Sequence, residues 1–219
     1  MTTSQSNSKE LLHAQSNANS LPNQLQPIRP NSAAWIRGMV FTALFAALFI
    51  AFSSIKISIG ITPVPITLQT LAVMLAGGFL GAAYGFWSIT IVLALTATGL
   101  PLIHGNGGLS LFYGPTAGFL WMFPVCALFI GWATDLLLRR TRTVGVVRYV
   151  FLAVLIYIGD LLSYIGGVPW LAHKIHSFDK AIEVGMTPFL AGDAIKAVVA
   201  TLLIGTLRPV LKPLLQRSR

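Results

Sequence analysis

Asp193 and Lys196 stand three residues apart inside TPFLAGDAIKAVVATLLIGTL, residues 187–207, where almost every other residue is apolar or small. On a helix that spacing puts both on one face, within reach of each other. A charged side chain at the centre of a bilayer costs roughly 2.5–3.5 kcal/mol on insertion scales, so it faces protein or a water-filled cavity. Two readings are open. The pair is a structural ion pair that neutralises itself, or it is the polar end of a ligand site. In the second reading Lys196 offers three N–H donors and a positive charge, and Asp193 accepts hydrogen bonds. That combination suits a small molecule with a carboxylate at one end and N–H groups at another.

A second apolar run, GDLLSYIGGVPWL, carries Asp160 and Tyr164 at i and i+4, again on one face. Asp160 is also a rival partner for Lys196. Gly166 and Gly167 permit close backbone approach, and Trp170 is either an interfacial anchor or a ring that stacks on a ligand. The loop HGNGGLSLFYGPT supplies His104, Asn106 and accessible backbone N–H groups, but its spacing matches no phosphate-binding signature. Thr67, Gln69, Thr70 and Tyr113 are further candidate lining groups, and Trp87, Trp121 and Trp170 are candidates to pack a ligand ring. Ala43, Ala47 and Ala51 recur every fourth residue, a smooth stripe suited either to packing within the chain or to docking another membrane protein.

The elements that must position these groups follow from composition. Of 219 residues, 55% are hydrophobic and 10% charged, with a mean hydropathy of +0.75. Soluble domains carry about 25% charged residues, so the chain has too few to cover a water-facing surface. Six apolar runs, about 34–54, 68–80, 82–98, 117–138, 149–168 and 188–207, predict an all-α integral membrane protein built as a bundle of six transmembrane helices. The second run is short for a full span. Pro63 and Pro65 impose an extended backbone between the first two runs. HKIHSFDKAIEVGMT reads as a mixed-charge connection.

If the N-terminus is cytoplasmic, 11 of the 15 Lys and Arg residues fall on the inner side: Lys9, Arg29, Arg37, Arg139, Arg140, Arg142, Arg148, Arg208, Lys212, Arg217 and Arg219. Both termini are therefore expected inside. Residues 1–33, rich in Ser, Asn, Gln and Pro, are expected to form a disordered tail lacking the apolar core of a signal peptide. Residues 34–207 form the membrane domain, and 208–219 form a basic cytoplasmic tail.

Several function classes are excluded. The net charge of +9 comes from residues flanking the spans, which suits lipid headgroups and not nucleic acid. The single Cys126 rules out an internal disulfide and a cysteine-rich metal site. His173 and His176 read as solvated, and no metal ligand set is expected. HExxH, GxSxG and the Walker A pattern are all missing, so no catalytic residues are assigned and the chain is expected not to be an enzyme. Any ATP hydrolysis must come from another polypeptide.

With TPVPITLQTLAVMLAGGFLG, GLPLIHGNGG, GPTAGF, GDLLSYIGGVPWL and PFLAGDAIKA in that order, the chain resembles the BioY family, biotin-specific substrate-binding (S) components of energy-coupling factor (ECF) transporters. The resemblance covers about residues 34–207. It implies a biotin pocket near the outer face, closed by the first loop, with biotin as transported substrate and no cofactor. It also implies a transmembrane coupling subunit and two cytoplasmic ATPase subunits as partners. Asp193 and Lys196 carry over as binding residues, with Asp193 assigned to the ureido N–H groups and Lys196 to the carboxylate or another ligand acceptor. Asp160, Tyr164, Asn106, His104 and Gln69 join them as candidates, and Ala43, Ala47 and Ala51 become the face for the coupling subunit. Ala117 and Phe119 depart from the family's tendency to Gly and Tyr. The competing function is a solitary or ion-coupled small-molecule transporter that works without ATPase partners.

Overall fold

The computed structural model describes residues 32–57, 64–140 and 145–216. The tail expected over 1–33 lies almost wholly outside that range, as does Pro63. Helix α1 spans Ser32–Ser54, and a two-stranded antiparallel hairpin pairs β1 (Lys56–Ile57) with β2 (Ile66–Thr67). There follow α2 (Gln69–Leu80), α3 (Ala82–Ala97), a 3-10 turn at Leu109–Phe112, α4 (Ala117–Arg140), α5 (Val146–Ile175), α6 (Phe178–Gly185) and α7 (Thr187–Gln216). Four segments are long and apolar enough to cross a membrane: Trp35–Ser54, Ala117–Arg139, Val146–Ile175 and Phe178–Val210; α2 and α3 are shorter apolar helices.

The six apolar runs thus all become helices, because a predominantly apolar run satisfies its backbone only internally when water is absent. Three elements depart from expectation, one of them α7, which continues to Gln216 through most of the segment expected to be a basic tail. The segment read as a mixed-charge connection contains helix α6, started by Ser177, whose hydroxyl accepts from the Lys180 backbone N–H. Helix α5 continues through Pro169 to Ile175, beyond the expected end near Val168.

Helix α2 is the centre of the bundle: every residue from Ala72 to Phe79 is buried, with α3, α4 and α7 packed around it. The most extensive helix–helix contact is between α4 and α5. A Cβ placed on Gly118 would lie 2.5 Å from the Gly166 carbonyl oxygen, and one on Gly167 would lie 2.2 Å from the Phe119 ring. Only glycine lets these backbones meet, which is how small residues drive association where lipid removes the hydrophobic incentive. Helix α1 joins the bundle through Phe45 and Phe49, one turn apart, whose rings pack on Phe79 at 5.8 Å and Phe123 at 6.1 Å. At the far end of α7, Arg208 donates to Asp135 Oδ1 on α4 at 2.8 Å. Large apolar side chains such as Val150, Val154, Ile158, Val198 and Leu202 are exposed on the outer faces of α5 and α7, the surface that acyl chains cover.

Candidate functional site

The charged residues of the two apolar runs come together in one buried network. Helix α7 brings Asp193 and Lys196 to the same face, and Lys196 Nζ lies 3.0 Å from Asp193 Oδ1. Thr70, in the first turn of α2, completes a triangle: its hydroxyl donates to Asp193 Oδ1 at 3.1 Å and accepts from Lys196 Nζ at 2.9 Å. The Tyr164 hydroxyl, from α5, donates to Asp193 Oδ2. Asp193 therefore accepts from three donors, while Lys196 uses two of its three N–H groups. The third N–H can serve a ligand.

These groups border a cavity of about 530 Å³ including its mouth. Phe119, Leu120, Phe123 and Phe189 form its apolar wall, and Val64, Pro65 and Thr67, around β2, line another side. Phe119 meets the Tyr164 ring edge-to-face at 5.9 Å, which fixes the tyrosine under the aspartate. Gln69 begins α2 with its backbone N–H donated to the Thr67 hydroxyl at 3.2 Å, and its side chain faces the same cavity. Two lining groups, Gln69 Nε2 and His104 Nε2, are buried with no hydrogen-bond partner among the described residues. Buried polar atoms in that condition are costly unless something fills the need.

His104 reaches the cavity from the glycine-rich loop. Gly99, Gly105 and Gly108 take positive φ there, as does His104 itself at +55°. The Gly108 N–H donates to the Thr96 carbonyl at 2.7 Å, and Ile103 and Asn106 exchange backbone hydrogen bonds of 3.3 and 2.8 Å. Burial first, and then the neighbouring positive charge of Lys56, hold the imidazole below the usual histidine range, so it is neutral at pH 7.

Of the residues singled out by sequence, Asp193, Lys196, Tyr164, Gln69 and His104 line this cavity, together with Thr67 and Thr70. Asp160 lies just behind, 1% exposed, within electrostatic reach of Asp193 and Lys196, its Oδ2 without a hydrogen bond among the described residues. Asn106 instead lines a neighbouring cavity nearer the loop. Trp87, Trp121, Trp170 and Tyr113 line neither. Trp170 donates its indole N–H to the Gly114 carbonyl at 2.8 Å, tying α5 to the loop before α4. Phenylalanines, not tryptophans, supply the aromatic wall. Sequence reasoning missed Ser163, Gly185 and Phe189; Ser163 sits between Asp160 and Tyr164, and the other two depend on α6 turning the chain back. Ala43, Ala47 and Ala51 are all exposed on α1. Among the described residues no group of His, Cys, Asp and Glu could hold a metal ion.

The profile of the BioY family matches residues 20–213. The chain is 45% identical to the biotin transporter BioY of Rhizobium etli over 76% of its own length and 90% of that protein. It is 38% identical to the probable biotin transporter BioY of Bacillus subtilis, over 75% of this chain and 84% of the other. A crystal structure described as the S-component for biotin from an ECF-type ABC transporter superposes with a TM-score of 0.73 at 27% identity, covering 84% of this chain and 94% of that one. These relatives are transporter components and not enzymes. Taken with helices fit to cross the membrane several times and a polar network enclosed among them, they show that this multi-pass membrane protein belongs to the BioY family.

Proposed function

We propose that this chain is the substrate-capture subunit of a biotin uptake system, a six-span bundle with cytoplasmic termini whose pocket opens outward. The observation that carries the reading is the buried Asp193–Lys196–Thr70–Tyr164 network, whose donors and acceptors suit a ureido ring. A ureido group presents one strong acceptor and two N–H donors in a fixed plane. Lys196, 3.0 Å from Asp193, has a donor to spare for the carbonyl, and Asp193 accepts from ureido N–H groups. Gln69 Nε2 offers a further donor. The fused rings then lie against Phe119, Phe123 and Phe189.

Charge favours the ureido carbonyl over the carboxylate as the acceptor for Lys196. Asp160 and Asp193 already share the surroundings of this single ammonium. A ligand carboxylate would bring a second negative charge to a buried corner whose one ammonium already pairs with Asp193. The neutral ureido group adds none. The valeryl carboxylate is accordingly placed at the mouth, towards His104 and Lys56.

Energy for release comes in this proposal from a separate transmembrane coupling subunit and two ATPase subunits. Ala43, Ala47 and Ala51 lie about 200° around α1 from Phe45 and Phe49, hence on the face turned away from the bundle. Replacing Ala47 with Trp there is expected to abolish co-purification with the coupling subunit and ATP-dependent biotin uptake in cells, while the purified variant binds biotin like wild type. Wild-type uptake in cells lacking the ATPase subunits would overturn the energised mechanism and favour a solitary transporter.

A further inference from the structure

A second cavity adjoins the pocket, and Pro65, His104 and Thr116 border both. It is wider, with about 990 Å³ of empty space including its mouth, and it is lined by Lys56, Asn106, Ser110 and backbone at Gly107 and Gly114. The ligand pocket is mostly apolar around one polar network, whereas this trough is lined more by polar than by apolar surface, with Pro65, Leu111 and Pro115 among its walls. It is also a built feature. The Gly108 N–H anchors the loop to Thr96, and Gly107 is pressed so close to the Leu100 carbonyl that a Cβ would lie 2.3 Å from its oxygen. Among the described residues the imidazole Nε2 of His104, buried at the junction, has no partner, and the Asn106 amide makes one long 3.4 Å contact, to the His104 carbonyl.

We infer that the trough is an extension subsite, and that the protein takes biotin joined through an amide at its valeryl end to lysine or a short lysine peptide. This rests on the biotin reading above and on the carboxylate end facing outward. In such a conjugate the amide replaces the carboxylate at the junction, where it presents both a donor and an acceptor to His104 and Asn106. The lysine part follows the trough, and its own carboxylate meets the charge of Lys56. A conjugate of this kind is what peptide hydrolysis leaves from a protein biotinylated on lysine, so a proteolytic reaction must supply it.

The test is displacement of labelled biotin from the purified full-length protein by unlabelled biotin and by biotin amide-linked to the ε-amine of lysine. Wild type and Ser110→Trp are compared, since the variant fills the trough at an exposed position outside the ligand pocket. The conjugate is expected to displace label from wild type within about tenfold of biotin, a difference of about 1.4 kcal/mol. In Ser110→Trp, biotin should bind as before and the conjugate should lose most of its affinity. A conjugate equally weak in wild type and variant overturns the subsite. So does a variant that loses biotin and conjugate alike, because the trough would then not be separate from the biotin position. Failure of biotin itself to bind wild type would remove the biotin reading and the inference with it, and unlabelled biotin in the same assay separates that case.

Discussion

Lys196→Ala protein is expected to bind biotin at least about thirtyfold more weakly than wild type, because truncating one partner of a buried hydrogen-bonded charge pair typically costs 2–5 kcal/mol. Equilibrium dialysis with labelled biotin measures it. The single variant also leaves Asp193 buried without its cation, so part of the loss could reflect a weakened fold. A double variant, Asp193→Leu with Lys196→Met, separates the two roles. Apolar replacement of a whole buried pair is often neutral or stabilising. A merely structural ion pair therefore predicts a double variant that is stable and binds biotin normally. The ligand-site reading predicts a double variant with thermal stability near wild type and no measurable biotin affinity. Recovered binding in the double variant would return Asp193 and Lys196 to a structural role and move the polar end of the site elsewhere.

The second large effect concerns the frame that holds Tyr164. Gly118→Val is expected to destabilise the protein by about 3 kcal/mol, at the upper end of overpacking costs. The added Cβ would meet the Gly166 carbonyl and the Trp170 Cβ at 2.5 Å each, and neither is the movable end of a flexible side chain. Helices α4 and α5 would have to part at the level where Phe119 and Tyr164 pack together. Biotin affinity should fall along with the midpoint of thermal unfolding, followed in detergent by tryptophan fluorescence. Gly192→Ala on α7 is the control: nothing lies within 4 Å of its Cβ position, so it should unfold at or slightly above the wild-type temperature. An unfolding midpoint for Gly118→Val equal to that of wild type would show that the two helices are not held by this contact.

How much of this was legible in the sequence differs by element. The apolar helices were, because each long run of uncharged residues has one way to satisfy its backbone in lipid. Asp193 and Lys196 were, because a three-residue spacing on a helix leaves little doubt about a shared face. Thr70 could be named as a lining group but not as the third corner of the triangle, since 123 residues separate it from Asp193. That contact is set by how α2 and α7 rotate against each other. The aromatic wall was misassigned to tryptophans for the same reason. Trp87 and Trp121 are more than half exposed on the outer faces of α3 and α4, while Phe119 and Phe123 turn inward. Helix α6 was missed because its charged residues break the apolar signal. Ser177 as N-cap with Asp179 in the first turn was the available clue.

The most direct measurement is calorimetric titration of biotin into the purified wild-type protein in detergent. The account predicts saturable binding of one biotin per chain. A flat titration with protein that is folded by its thermal transition would contradict it, and with it the assignment of the Asp193–Lys196 network to a ureido ring.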